Sequence, residues 1–166
     1  YAMAEDDAGV RWFATLGGIG RWDRGQWAYW STKNGLRTDR VFTLTVGRDR
    51  RVWFGHQTQG VGSIDTNGVL TYETPASGFL SRGAWDLRVD DAGRLWVSTR
   101  EGLMIRDRGI WSTLSSAEGL PDPNLWPILI RDSLVYCGTM HAGIAISEFP
   151  VASPIRSKAA PESMTH

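Results

Sequence analysis

From Val41 to Tyr72 the chain alternates apolar and polar positions in short runs separated by turn residues. Val41 to Val46 reads as a strand. Arg48 to Arg50 is a polar turn, and Val52 to Gly55 a second strand. Gln57 to Gly60 turns again, into Val61 to Ile64, and Asp65-Thr66-Asn67-Gly68 leads to a fourth strand, Val69 to Tyr72. A period of two over four to six residues is the signature of a strand, and Asn-Gly is a dipeptide whose backbone tolerates positive φ. No segment keeps a helical period.

The same run of elements recurs. Asp6-Asp7-Ala8-Gly9-Val10-Arg11-Trp12 matches Asp49-Arg50-Arg51-Val52-Trp53, Asp90-Asp91-Ala92-Gly93-Arg94-Leu95-Trp96 and Asp132-Ser133-Leu134-Val135-Tyr136. The anchors Trp12, Trp53, Trp96 and Tyr136 stand 41, 43 and 40 residues apart. Gly18-Ile19, Gly60-Val61, Gly102-Leu103 and Gly143-Ile144 form a second set, and Gly35-Leu36, Gly78-Phe79 and Gly119-Leu120-Pro121 a third. Four short antiparallel strands in a unit of about 40 residues are the blade of a β-propeller. The fold class expected is therefore all-β: four blades over residues 1–149, in units of about 1–37, 38–80, 81–121 and 122–149. They would form a closed four-blade ring, half of an eight-blade ring made by two chains, or part of a larger ring. Residues 150–166, with Pro150, Pro154 and Pro161 among Ala and Ser, read as a tail that is flexible or extended along a partner, with covering of the last sheet edge as a further reading.

The Asp–x–Gly turn, the apolar residue, the Trp, then Gly-Leu and a closing Gly-Leu-Pro together resemble the two-component regulator propeller repeats, over about residues 1–148. That resemblance implies a multi-bladed bacterial propeller, often the extracytoplasmic sensor domain of a hybrid histidine kinase. A weaker resemblance, through Gly62-Ser63-Ile64-Asp65-Thr66-Asn67-Gly68-Val69, is to the streptogramin lyase propellers.

Composition narrows the chemistry. The eighteen basic and eighteen acidic residues cancel, which argues against a general nucleic-acid binder. A single cysteine, Cys137, excludes an internal disulfide or a cysteine metal cluster, and it reads as a core residue. No apolar run is long enough to span a membrane, and no signal-peptide pattern stands in the residues present. The nine Trp and nineteen Gly follow from the repeat. Trp12, Trp53 and Trp96 are expected to fill the space between blades, the other reading being sugar or base stacking. Trp85, Trp126 and Phe42 begin inner strands, where they line the central channel or its mouth. Trp22, Trp27 and Trp30 cluster in the outer half of the first unit, and they read either as a partner surface or as core.

Candidate binding residues sit in the loops that diverge between units: Arg37, Arg40, His56, Gln57, Gln59, Arg82, Arg100, Glu101, Met140 and His141. The arginines suit a carboxylate or phosphate, or they are solvated and paired with Asp39, Asp86 and Glu101. The Asp residues of the repeated turns are expected to bond their own backbone and not a cation. No Ser-His-Asp set, phosphate loop or His-Glu-x-x-His is present. A lyase reading rests on His56, His141 and Glu101 alone. The expectation is a non-catalytic interaction or scaffold subunit with a protein partner, no cofactor and a possible homodimer; the alternatives are a ligand-sensing propeller and a lyase-like enzyme.

Overall fold

A computed structural model describes residues 1–148 and 156–158. Its sixteen strands make four sheets, each built from four consecutive strands paired in order. The first holds β1 (Ala2–Glu5), β2 (Arg11–Thr15), β3 (Gly18–Asp23) and β4 (Gln26–Trp30). The second holds β5 (Thr43–Val46), β6 (Val52–Gly55), β7 (Val61–Ile64) and β8 (Leu70–Tyr72). The third holds β9 (Asp86–Val89), β10 (Leu95–Ser98), β11 (Leu103–Asp107) and β12 (Ile110–Leu114). The fourth holds β13 (Leu125–Arg131), β14 (Leu134–Thr139), β15 (Ile144–Glu148) and β16 (Arg156–Lys158). All pairings are antiparallel. These are propeller blades.

The last strand departs from the flexible-tail reading of residues 150–166 and agrees with its alternative, a tail segment that covers the last sheet edge. Arg156–Lys158 instead pairs with Ile144–Ile146 and completes the fourth blade. Arg-Ser-Lys carries no apolar alternation, so a period-two search has nothing to find there. The rest of that segment lies outside the described residues.

The repeated motifs have local causes. Asp6, Asp65 and Asp90 each accept two backbone N–H groups through Oδ1 at 2.9 Å, two and four residues ahead, and so shape the turn before or after a strand. The Gly-Leu motif marks a different device. Ser31, Thr74 and Ser115 open single 3-10 turns with reciprocal capping boxes. Gly35, Gly78 and Gly119 leave those turns at φ of 121°, 98° and 99°, which a side chain would strain. The chain then drops Leu36, Phe79 or Leu120 into the core as a plug.

The core lies between blades. Trp12, Ala14 and Ile19 of the first pack on Leu44, Val52, Phe54 and Ile64 of the second. Trp53 and Val61 meet Leu87, Leu95, Val97 and Met104 of the third. Trp96, Leu103 and Ile105 meet Ile128, Val135, Cys137 and Ala145 of the fourth. Burial pushes the Cys137 thiol up to about 12, with the charge of Asp86 adding to it, so it serves as a small apolar residue.

The first strands of successive blades, β1, β5, β9 and β13, touch in sequence and line the axis; no comparable contact joins β13 to β1 among the described residues. Asp86 ties three of these strands together, accepting from Thr43 Oγ1 at 3.4 Å and from the Ile128 N–H at 2.9 Å. Pro127 sits in β13, a sheet edge, where the register shifts between Leu125 and Ile128.

Candidate binding face

Two sets of loops come together on one face. The loops between blades bond to the β2–β3 type loops: Val41 N–H to the Thr15 carbonyl at 3.0 Å, Ala84 to His56 at 2.9 Å, Leu125 to Thr99 at 2.9 Å. The fourth blade's loop is held by Met140 N–H on Asn124 at 2.9 Å. These backbone bonds make a rigid rim from otherwise divergent segments.

At the axial end of this rim stands a row of aromatic rings. Tyr1, Phe42 and Trp85 each precede the inner-strand residue that pairs with Ala14, Gly55 or Ser98. Trp126 comes next, its carbonyl accepting from Ser98 Oγ at 2.5 Å. Tyr1 and Phe42 have centroids 4.8 Å apart. Trp85 and Trp126 stack at 4.8 Å with their planes 10° apart, and the Arg100 guanidinium lies 5.0 Å above Trp85. Tyr1 and Trp126 are exposed, and Phe42 and Trp85 half-buried. The sequence reading placed Phe42, Trp85 and Trp126 near the channel but passed over Tyr1. A signal for it existed: Tyr1, Phe42 and Trp85 all lie eleven residues before their anchor Trp, and Trp126 lies ten before Tyr136.

The expected basic patch is partly tied down. The Arg37 guanidinium lies over Tyr72, 4.1 Å from the ring centroid, and the Arg37 backbone N–H donates to the Tyr72 hydroxyl at 2.9 Å. Its guanidinium also reaches the Gln59 carbonyl at 3.4 Å. Arg40 and Arg82 are exposed, and their carbonyls brace the rim, accepting from His56 Nδ1 at 2.8 Å and Gly60 N–H at 2.7 Å. Gln57 and Met140 are exposed on it. Glu101 accepts from Ser81 Oγ at 2.6 Å.

His56 is not a surface residue. It is 0% exposed. Its Nδ1 meets the Arg40 carbonyl at 2.8 Å and its Nε2 the Tyr72 hydroxyl at 3.0 Å. The carbonyl can only accept, so Nδ1 carries the proton and Nε2 accepts from Tyr72. Burial lowers the pKa of the ring, the Arg40 carbonyl opposes that, and the charge of Arg37 lowers it further. His56 is thus a neutral brace beneath the rim, and it leaves the candidate set. His141, in the matching loop, is exposed and paired with Asp122, whose Oδ2 takes its N–H at 2.8 Å and contacts Nδ1 at 3.1 Å. His56, His141 and Glu101 each serve a different partner, and they do not assemble a common site.

The Trp22, Trp27 and Trp30 cluster also divides. Trp22 pairs across the strands with Trp27, whereas Trp30 pairs with Ile19 on the opposite side of the sheet. Trp30 packs on Trp12 at 5.4 Å and its Nε1 points to the Gly68 carbonyl at 3.4 Å, between blades. Trp27 stays exposed, stacked on Tyr29 at 5.6 Å, and Trp22 lies under Arg11 at 5.1 Å. Residues 27 and 30 are an odd number apart, and successive side chains of a strand alternate sides, which separates them.

No protein-family pattern matches the chain, and no curated protein matches it. Solved structures do. The extracellular domain of a hybrid two-component system protein of B. thetaiotaomicron superposes with a TM-score of 0.82 at 20% identity, over 95% of this chain and 22% of that one. The extracellular domain of a one-component system protein of the same organism gives 0.78 at 20%, over 95% and 22%. Virginiamycin B lyase from Staphylococcus aureus, in its H270A form with quinupristin, gives 0.74 at 19%, over 98% and 56%. The shared feature is the propeller fold. The chain spans less than two thirds of the length of each of these structures. No helix among the described residues is long and apolar enough to cross a membrane.

Proposed function

We propose that this propeller is a non-catalytic sensing and interaction module that takes a protein partner on its loop face, over the axial aromatic row. The observation that carries this is the nearly parallel pair of exposed Trp126 and half-buried Trp85, with the Arg100 guanidinium above Trp85. Flat apolar surface beside a cation suits a segment presenting an aromatic or aliphatic side chain next to a carboxylate, and Trp and Arg are both enriched in binding hot spots. The rim that holds these groups is pre-organised by backbone bonds, which lowers the ordering cost of binding. The fold shared with extracellular sensor domains supports the same reading. The buried, fully bonded His56 speaks against the lyase alternative, because a general base must reach its substrate.

The test compares the native chain with Trp85→Ala/Trp126→Ala/Arg100→Ala in affinity capture from the native source, followed by titration of each captured protein. A partner bound at least roughly tenfold more weakly by the triple variant supports the proposal. Equal capture by both chains, or hydrolysis or elimination of a small molecule that depends on His141, overturns it.

A further inference from the structure

A cavity of about 730 Å³ lies between the first and second blades, at the face opposite the loop rim. The β1–β2 and β3–β4 turns and the strands of the first blade wall one side of it, and the β5–β6 and β7–β8 turns the other. Trp12 lines this cavity while only 4% exposed, and its Nε1 has no hydrogen-bond partner among the described residues. The third blade shows what the indole lacks. There Arg94 Nε and Trp96 Nε1 both donate to Asp90 Oδ2, at 2.7 and 2.9 Å. The first blade has Val10 where the third has Arg94, and its turn acid, Asp6, uses Oδ1 for the N–H groups of Ala8 and Val10. A buried donor without an acceptor is costly, and a group that brings an acceptor into the cavity relieves that cost.

Charges of both signs line the cavity in equal number. Arg21 and Asp23 are paired with each other. The other two acids, Asp6 and Asp65, and the other two bases, Arg24 and Arg50, make no ion pair among the described residues. Asp6 and Asp65 spend Oδ1 on the N–H groups of their turns, and Oδ2 of each takes no hydrogen bond among the described residues. Trp12 and Trp30 supply the apolar part of the wall. A lining of zero net charge gives a phosphate or a polyamine no overall attraction, whereas a dipolar ion meets both signs at once. An uncharged polyol could bond the indole but would leave the four charges unpaired.

We propose that this cavity binds a short peptide as a zwitterion, with its ammonium end on the Asp6 and Asp65 carboxylates, its carboxylate end on Arg24 and Arg50, and a carbonyl oxygen accepting from Trp12 Nε1. The volume falls within the range of small-molecule sites. The four charges stand on turns whose shape is fixed. Asp6 and Asp65 are held by their backbone bonds, and Arg24 and Arg50 occupy left-handed positions at φ of 47° and 59°. Groups held in place before binding lose little freedom when the peptide arrives. The site opens away from the aromatic row and does not rest on the partner-binding function proposed there.

Trialanine is the probe, titrated to millimolar concentration into the isotope-labelled 166-residue chain and followed by NMR. The nine Trp give nine indole N–H signals, and the one missing from Trp12→Phe belongs to Trp12. That signal should move as trialanine is added, and calorimetry should find one site per chain. N-acetyl-trialanine amide keeps the carbonyls and loses both end charges, so it should bind roughly tenfold or more weakly. Arg24→Asn/Arg50→Asn and Asp6→Asn/Asp65→Asn should each weaken trialanine by a similar factor. Asn tolerates the left-handed backbone in the first pair and keeps the turn-forming Oδ1 in the second. A stationary Trp12 signal, equal binding of the blocked peptide, or glucose moving the signal as trialanine does overturns the proposal. If a double variant fails to fold, the two peptides on the native chain still decide. The Trp85→Ala/Trp126→Ala/Arg100→Ala chain should bind trialanine as the native chain does, so failure at the loop face and failure at this cavity are read separately.

Discussion

The third blade and the first carry nearly the same motif, Asp-Asp-Ala-Gly followed by two residues and a Trp, and they use it differently. In the third, Trp96 is wholly buried, and its Nε1 donates to Asp90 Oδ2 at 2.9 Å, an oxygen that also takes Arg94 Nε at 2.7 Å. In the first, Trp12 is buried too, but its Nε1 finds no acceptor among the described residues. Asp6 makes the same backbone bonds as Asp90, so turn chemistry does not separate them. The third blade is packed on both sides; the first is packed on one and carries bare aromatics on the other. A repeat thus encodes the shape of a blade, while the neighbours decide how much each copy of the motif is worth.

That contrast can be broken most strongly at its better-anchored end. Trp96→Ala should cost about 3–5 kcal/mol in urea unfolding, from the cavity and the lost indole bond to Asp90 together. Trp12→Ala, with no indole bond to lose, should cost less. Equal losses would mean that the Asp90 bond contributes nothing.

A second, smaller effect is set by pH in the second blade. Burial, with the Arg40 carbonyl working against it and the Arg37 charge adding to it, holds the His56 pKa below its ordinary value. The unfolded chain takes up a proton near pH 6.5 that the folded chain refuses. Stability is therefore full above that pH and falls as pH drops below about 6.5. Asp90 acts elsewhere. Its burial raises the carboxyl pKa, but bonds from Trp96 and from the Arg94 backbone and side chain, with the Arg94 charge, bring it below the usual value. Its contribution is lost only below about pH 4, as the pH falls through the folded-state pKa. Urea midpoints between about pH 7.5 and 5.5 should decline in the native chain and flatten in His56→Gln. An unchanged slope in that variant would assign the decline to another group.

The smallest effect belongs to the bare face. Trp27→Ser should shift stability by no more than about 0.5 kcal/mol. A loss comparable to that of Trp12→Ala would mean that Trp27 is covered by the chain itself.

Much of this fold was legible in the chain, because a blade is built from local rules. Asp and Gly at the turns, alternation in the strands and a large ring at a fixed spacing are all nearest-neighbour signals. What was not legible depends on contacts across blades or strands. His56 looked like a variable loop residue because its partners, Tyr72 and the Arg40 carbonyl, reach it from β8 and from the preceding inter-blade loop. The capping boxes at Ser31, Thr74 and Ser115 were present in the sequence, but the Gly-Leu that follows hid them as a repeat anchor. The division of Trp27 from Trp30 was legible too, since alternation alone puts them on opposite sides. Tyr1 shared the eleven-residue offset of Phe42 and Trp85, and a search tuned to Trp passed over it.

One consequence of the connectivity remains. Among the described residues every sheet is made from four successive strands, and no strand is lent to another blade. In mechanical terms the blades are links in series. A load applied at the two ends of the chain passes through each interface in turn, with no strand bridging distant links to share it. The strength of the series is then that of its weakest junction.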